Sequence, residues 1–137
     1  MSWTLDNKVK KMDIKTGTNI TKDYIVTADM TAKAIKSGAA EVLSTPHMIA
    51  LMEDVSCDAV AQFLPSGYIS VGTTVDIKHL RPTPVGRKIA VSGTITKVDG
   101  NKIMLKVECY DSHGQIGTGE HGRCIVCHDT FMASCNK

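Results

Sequence analysis

The stretch that decides the fold is Ser44 to Leu64, which reads STPHMIALMEDVSCDAVAQFL. The run holds neither glycine nor proline from residue 47 to residue 64, so nothing interrupts a helix there. Thr45 is a suitable N-cap, because its hydroxyl can accept an N–H of the first turn. Pro46 then falls at the first helical position, where its missing N–H costs nothing. The stretch therefore predicts one long helix.

One acidic residue of this helix lies on its apolar side. At about 100° per residue, the apolar side consists of Met48, Met52, Val55, Ser56, Ala59 and Phe63, widened by Ile49, Val60 and Leu64. His47, Asp54, Asp58 and Gln62 gather on the opposite side. Glu53 does not join them and falls between Val60 and Leu64. A carboxylate within an apolar stripe costs free energy unless it has a partner, which makes Glu53 a candidate functional residue.

The rest of the chain predicts one strand before the helix and four strands after it. Residues 18–28 are rich in β-branched side chains and predict a first strand, and residues 29–38 predict a short helix. After Gly67 the hydrophobic period changes to two, over residues 68–80, 88–98, 101–110 and 115–128, with a hairpin turn at Asp99-Gly100. The sequence predicts an α+β fold, in which a four-stranded antiparallel meander curls around the helix. Residues 1–137 are expected to form a single domain, with 1–16 as a loosely held lead-in.

The next candidate is His79, at the end of the second predicted strand. Strict alternation places it on the apolar face with Val75 and Ile77, whereas Gly72 points to the other face. Since the helix packs on the apolar face, Glu53 and His79 are expected in the same layer. A carboxylate beside an imidazole can activate water or a hydroxyl. Thr45 could supply such a hydroxyl, although it lies about 12 Å from Glu53 along the helix axis.

Each of these residues also has a simpler interpretation. Thr45 could be only an N-cap, Glu53 could reach solvent or pair with a lysine, and His79 could be an ordinary strand-end histidine. Gly72, within a strand, indicates either a bulge or a close backbone approach. Arg123 shares a strand face with apolar Ile125 and could equally be a sheet-edge arginine facing water.

Composition and spacing exclude several classes of function. The net charge of +2 and aromatic content of 4% argue against nucleic-acid binding, and no apolar run is long enough for a membrane span. The N-terminal residues do not resemble a signal peptide, and five cysteines without framework spacing favour the cytoplasm. Cys124-Ile-Val-Cys127-His128 matches a haem attachment pattern, but the two cysteines of a strand would point to opposite faces. No metal site and no cofactor are therefore expected.

The pattern as a whole resembles a known family. The run EVLSTPHMIALMEDVSCDAVAQFLPSGYISVGTTVDIKHLRPTPVGRKIAVSGTI (41–95), continued by IGTGEHGRCIV (116–126), is similar to hotdog-fold thioesterases, and most similar to the fluoroacetyl-CoA thioesterase group. The resemblance covers about residues 20–131. It implies a hotdog fold and a homodimer with active sites at the interface, with pairing of dimers into a tetramer left open. It also implies hydrolysis of an acyl-CoA thioester to a free acid and CoA.

The resemblance also implies roles for five residues. Thr45 would be the hydroxyl at the thioester carbonyl, Glu53 the carboxylate nucleophile or base, and His79 the general acid/base. Gly72 would bring backbone close to the thioester, and Arg123 would position substrate or catalytic groups. Fluoroacetyl selectivity is not implied, because the segment AIKSGAAEVLS before the helix lacks the phenylalanines that form a lid in the fluoroacetyl-CoA enzyme.

Two other functions stay open at this level. A non-catalytic acyl-CoA binding module on the same fold is one alternative, although a binder does not need an acid in an apolar stripe. A hotdog dehydratase is the other, but it would need an Asp–His pair at a different spacing. The sequence does not identify the acyl group.

Overall fold

The computed structural model describes residues 7–136, in which one five-stranded antiparallel sheet packs against a long helix. The helices are α1 (Asn7–Lys10), α2 (Thr45–Ala61) and α3 (His128–Ser134). The strands are β1 (Asn19–Ile25), β2 (Tyr68–His79), β3 (Lys88–Asp99), β4 (Lys102–Asp111) and β5 (Gly114–Cys127). The long helix is α2, and it contacts all five strands. The predicted α+β architecture is therefore present.

The start of α2 differs from the prediction by one residue. Ser44 is the N-cap, and its hydroxyl accepts the backbone N–H of His47 at 3.1 Å. Thr45 is the first helical residue, so the prediction that it caps the helix is wrong. Both residue types cap well, and Pro46 is harmless anywhere in the first turn, where N–H groups have no helical partner. The shift leaves the Thr45 hydroxyl available for another contact.

The segment before α2 is not the predicted short helix. Only a 3₁₀ turn, Ala28–Met30, forms there. The backbone N–H groups of Ala32 and Lys33 donate instead to the carbonyl groups of Val42 and Ala40, so the segment folds back on itself as a loop. Thr31 likewise forms an isolated bridge with Leu43. These pairings compete with helical hydrogen bonds, which local periodicity cannot reveal.

The strand order is β1-β3-β4-β5-β2. The meander of β3, β4 and β5 is confirmed, but β2 pairs with β5 and not with β3, so the predicted four-stranded meander is wrong for β2. Residues 80–87 carry the chain from one edge of the sheet toward the other. Thr83 within this connection accepts the backbone N–H of Leu43 at 2.8 Å. The connection therefore runs beside the start of α2.

A β-bulge in β2 changes which residues face the helix. The register with β5 shifts between Gly72 and Thr74, so Gly72 lies opposite Arg123 and Val75 lies opposite His121. Directly opposite residues share a sheet face, and so the inner face carries Ser70, Gly72, Val75, Ile77 and His79. The prediction that Gly72 and His79 lie on different faces of the sheet is therefore wrong, because the extra residue at the bulge interrupts the strict alternation.

The core lies between α2 and the sheet in two clusters. Met48, Met52 and Val55 pack against Ile89, Val91, Val107 and Ile116, and Ala59 and Val60 pack against Ile95, Ile103, Leu105 and Ile125. Val9 is 3% exposed and belongs to the second cluster, with Met12 and Ile14 packed against it. This part of the lead-in is therefore packed, contrary to the expectation of a loose hold, whereas residues 1–6 of the expected lead-in lie outside the described residues. No helix within residues 7–136 is long and apolar enough to cross a membrane.

Candidate active site

The first half of the site joins the start of α2 to the end of β2. Thr45 Oγ1 lies 2.8 Å from Nδ1 of His79, which is hydrogen-bond distance. The contact forms because Ser44 takes over the capping role and because His79 lies on the inner face of β2. An imidazole nitrogen at this distance can accept the hydroxyl proton of threonine. The structure thus brings together two of the three predicted catalytic side chains.

His79 is held in its neutral form. Burial lowers the pKa of its imidazole below the ordinary value, an effect that the backbone of Arg81 partly offsets. Its second ring nitrogen, Nε2, is buried and finds no hydrogen-bond partner within residues 7–136. A neutral imidazole can act as a base, and a buried nitrogen without a partner costs free energy.

A pocket of about 560 Å³ opens at this pair. Its walls come from the segment before α2, from the first turn of α2 and from the chain just beyond β2. The residues that matter most for its chemistry are Thr45, His79 and Arg81. Ala32, Val42, Leu43 and Leu80 supply apolar wall. The pocket therefore combines a reactive pair with an apolar surround, as small-molecule sites usually do.

The second half of the site surrounds Glu53. This residue is half-buried, and its carboxylate approaches the β2 backbone at Gly72. A Cβ atom at Gly72 would lie 2.9 Å from Glu53 Oε2, 3.2 Å from His121 Cε1 and 3.7 Å from Arg123 Nη1. The missing side chain of Gly72 is what allows these three groups to converge. Gly72 thus marks a close backbone approach, and it also lies next to a bulge.

Arg123 points inward and is 7% exposed, which excludes the interpretation of a sheet-edge arginine facing water. Its Nε donates to Ser70 Oγ at 2.8 Å and its Nη2 to the Ser70 carbonyl at 2.9 Å. Its Nη1 lies 3.1 Å from His121 Nε2. The guanidinium is therefore fixed by neighbouring groups on the inner face of β2 and β5.

The hydrogen bonds of His121 determine its tautomer. Its Nδ1 lies 2.8 Å from the carbonyl oxygen of Thr74, which can only accept, so Nδ1 carries the proton. Nε2 is then free to accept the hydrogen bond from Arg123. Burial, and secondarily the charge of Arg123, lower the pKa of His121, while the Thr74 carbonyl and Glu53 oppose this effect. His121 is thus neutral, a fixed link between the β2 bulge and Arg123.

The two halves do not meet within one chain. Among residues 7–136, Glu53 makes no hydrogen bond or ion pair with Thr45 or His79. The expected direct pairing of Glu53 with His79 is therefore absent from the single chain. Within the described part of the chain, no three His, Cys, Asp or Glu side chains form a group that could hold a metal ion.

Sequence reasoning missed two residues of the second half. His121 precedes Arg123 by two positions in a strand, so the alternation that placed Arg123 on the inner face could have indicated His121 as well. Ser70 was hidden by the bulge, which reverses the faces on either side of it. No local pattern in the sequence marks that extra residue.

Comparisons with known proteins agree on one family. Residues 26–129 match the family model described as fluoroacetyl-CoA-specific thioesterase, FlK. The chain is 28% identical over 129 residues to the fluoroacetyl-CoA thioesterase of Streptantibioticus cattleyicolor, covering 90% of this chain and 93% of that protein.

Solved structures give the same result. A structure of the fluoroacetyl-CoA thioesterase FlK matches with a TM-score of 0.84 at 27% identity, covering 89% of this chain and 95% of that one. A Thermus thermophilus thioesterase superfamily member matches with a TM-score of 0.83 at 26% identity, over 90% and 91% of the two chains. A hot-dog-like protein of Thermanaerovibrio acidaminovorans has a TM-score of 0.83 at 24% identity, over 94% and 93%, and supports the fold alone. The predicted hotdog fold is confirmed, and the chain belongs to the fluoroacetyl-CoA-specific thioesterase family, whose enzyme class is the predicted thioester hydrolase.

Proposed function

We propose that this protein hydrolyses the thioester of a short acyl-CoA to a free acid and CoA. The observation that carries the proposal is the 2.8 Å contact between the Thr45 hydroxyl and Nδ1 of a neutral His79, inside a pocket. Membership of the family supports the same reaction class. A substrate with CoA is also consistent with the crystallised complex of an FlK variant with fluoroacetate and CoA.

The proposed reaction begins at Thr45. His79 accepts the hydroxyl proton, the Thr45 oxygen attacks the thioester carbonyl, and the thiol of CoA leaves with the proton from His79. The acyl group is then an ester on Thr45. Glu53 accepts a proton from water, which attacks this ester. The proton then passes from Glu53 to the departing Thr45 oxygen, which releases the free acid and restores both the Thr45 hydroxyl and the Glu53 carboxylate. In this order the nucleophile is Thr45 and the carboxylate is the base for the second step.

Glu53 reaches the ester from a second copy of the chain. β2 is an edge strand of the sheet, and residues 72–76 at its centre are exposed. An exposed edge of a long strand is a natural surface for pairing with another strand. We therefore expect a homodimer in which two β2 strands pair antiparallel.

Strand pairing also shortens the path between the two halves of the site. Pairing centred between Thr73 and Thr74 places Gly72 of one copy opposite Val75 of the other, and both residues lie on the inner face. Val75 is only four residues from His79, about 13 Å at the usual rise of a strand, whereas Gly72 of the same chain is seven residues away. The Glu53 carboxylate that approaches Gly72 in one copy then completes the active site formed by Thr45 and His79 of the other copy.

The first test is thiol release from acetyl-, propionyl-, butyryl- and fluoroacetyl-CoA by the purified protein. We expect turnover of at least one of these thioesters well above the uncatalysed rate. Strong discrimination for fluoroacetyl-CoA is not expected, since the segment before α2 has no aromatic residue. Binding of CoA thioesters without any turnover would contradict the proposal and favour a binding module.

The second test uses two inactive variants. If each site takes Thr45 from one copy and Glu53 from the other, a purified heterodimer of Thr45→Ala with Glu53→Gln contains one intact site. Its second site then carries both substitutions. Its activity should recover to about half that of the wild-type dimer, since a two-fold dimer has two equivalent sites. A heterodimer of Thr45→Ala with His79→Ala is the matched control and should stay inactive, because both residues belong to the same half. No recovery in the first heterodimer would contradict a shared site.

A further inference from the structure

The pocket at Thr45 and His79 carries one positive charge that the proposed reaction does not use. Among the described residues that line it, Arg81 alone is charged at neutral pH, since burial keeps His79 neutral. The Arg81 side chain is 39% exposed. A guanidinium has five N–H donors, yet that of Arg81 donates no hydrogen bond within residues 7–136.

The nearest acid to Arg81 is already occupied. The side chain of Asp111 is fully buried, with one carboxylate oxygen 3.1 Å from Arg87 and the other accepting the backbone N–H of His113 at 2.8 Å. Arg81 Nη1 approaches Asp111 only to 3.9 Å, beyond hydrogen-bond distance. Arg87 and Asp111 neutralise each other, so the three side chains leave a surplus of one positive charge beside the pocket. The Asp111 contact fixes the direction of Arg81 without satisfying its donors.

The position of Arg81 indicates which part of an acyl-CoA it would meet. Arg81 follows His79 by two residues, so their Cα atoms are no more than about 7 Å apart. The phosphate groups of CoA are separated from the thioester by the whole length of the pantetheine arm. Because Arg81 lines the same pocket as Thr45 and His79, we expect its guanidinium to meet the acyl group and not the phosphates. The planar fork of a guanidinium matches a carboxylate with two parallel hydrogen bonds.

We infer that Arg81 makes this enzyme selective for acyl-CoA thioesters whose acyl group ends in a carboxylate. The inference rests on the proposed function, since it assumes that Thr45 and His79 mark the reacting carbonyl. A neutral acyl chain of the same shape would leave the guanidinium donors in the pocket without a partner, and a site built for a polar group discriminates strongly against such analogues.

The test compares thioesters of equal shape and different charge. Malonyl-CoA is paired with 3-methylbutanoyl-CoA, and glutaryl-CoA with 5-methylhexanoyl-CoA, so that each acid has a neutral isostere at two chain lengths. In the wild type, kcat/KM for at least one acid should exceed that for its isostere by about tenfold or more, the scale of a charge-assisted hydrogen bond. In Arg81→Gln this ratio should fall to about one or below.

Two further variants separate charge from geometry. Arg81→Lys keeps the positive charge but loses the planar pair of N–H donors. It should therefore keep only part of the preference for the acid over its neutral isostere. Lys88→Gln is the matched control, because Lys88 is exposed and pairs with Asp23 at 3.2 Å on the β1–β3 edge, away from the pocket. It removes one positive charge from the chain and should leave the preference unchanged. Thermal unfolding of each variant verifies that the fold is retained.

The outcomes are distinct. Equal kcat/KM for acids and isosteres in the wild type would overturn the inference and leave the proposed function intact. A uniform loss in Arg81→Gln across all thioesters, acetyl-CoA included, would also overturn it, because Arg81 would then serve CoA or the fold. Absence of turnover for every thioester in the wild type would instead refute the proposed function.

Discussion

Replacement of Glu53 by glutamine should lower kcat for acyl-CoA hydrolysis by about a hundredfold or more, the usual scale for loss of a general base. The amide keeps the shape of the side chain beside Gly72 but removes its charge and its basicity. KM should fall as well, because the acylated form accumulates and kcat/KM reports acylation, in which Glu53 takes no part. Steady-state thiol release at saturating substrate measures the effect.

The same variant should reveal the intermediate. If Thr45 carries the acyl group and Glu53 activates water, then Glu53→Gln forms the ester faster than it hydrolyses it. Intact-mass spectrometry after mixing with substrate should show one acyl group per chain, and the double variant with Thr45→Ala should show none. A slow variant with no covalent adduct would indicate that water, and not Thr45, attacks the thioester directly.

Asp54→Asn is the control for Glu53→Gln. Asp54 is adjacent in sequence but lies on the other side of α2, where it accepts from the Tyr24 hydroxyl at 2.6 Å and from Lys22 at 3.1 Å. Its side chain is 48% exposed, so loss of the ion pair should cost at most about 1 kcal/mol of stability. Its kcat should equal that of the wild type. Full activity in Glu53→Gln would refute the proposed role of the carboxylate.

Periodicity predicted the parts of this molecule that depend on local pattern. The long helix, the misplaced Glu53 and the alternating strands β3 and β4 all follow from which residues must be buried together. Ile89, Val91 and Ile95 are buried, as the hydrophobic period of two over residues 88–98 requires of one strand face. These features need no knowledge of how strands pair, because each hydrophobic face is specified within its own element.

The predictions that proved wrong concern features that depend on contacts between segments distant in sequence. The bulge at Gly72 is visible only in the register of β2 against β5, and it decides that Gly72 and His79 share a face. The pairing of β2 with β5 in place of β3 depends on the connection over residues 80–87, and the loop over 31–43 depends on backbone pairing with itself. Such choices are settled by tertiary packing, which overrides local preference.

The last prediction concerns Gly72, whose missing side chain lets the Glu53 carboxylate approach the strand. In Gly72→Ala a methyl group would lie 2.9 Å from Glu53 Oε2 and 3.2 Å from His121 Cε1, so the carboxylate must move. A displacement of about 1 Å in a catalytic group can cost a hundredfold in rate, and we expect kcat to fall by about tenfold to a hundredfold. Since Gly72 is exposed and Glu53 only half-buried, the fold should survive.

Gly93→Ala separates crowding from catalysis. A Cβ atom at Gly93 would lie 3.0 Å from Ser56 Oγ and 3.1 Å from Val55 Cγ2, so this glycine is also crowded against α2, but it faces the core. The variant should lose about 1–3 kcal/mol of stability through overpacking, while the folded fraction keeps its kcat. Similar crowding should therefore have different effects at the two positions: Gly72→Ala should lower kcat, and Gly93→Ala should lower stability. If Gly72→Ala instead lowers the melting temperature as Gly93→Ala does and leaves kcat unchanged, then the position of Glu53 beside β2 does not matter for the reaction.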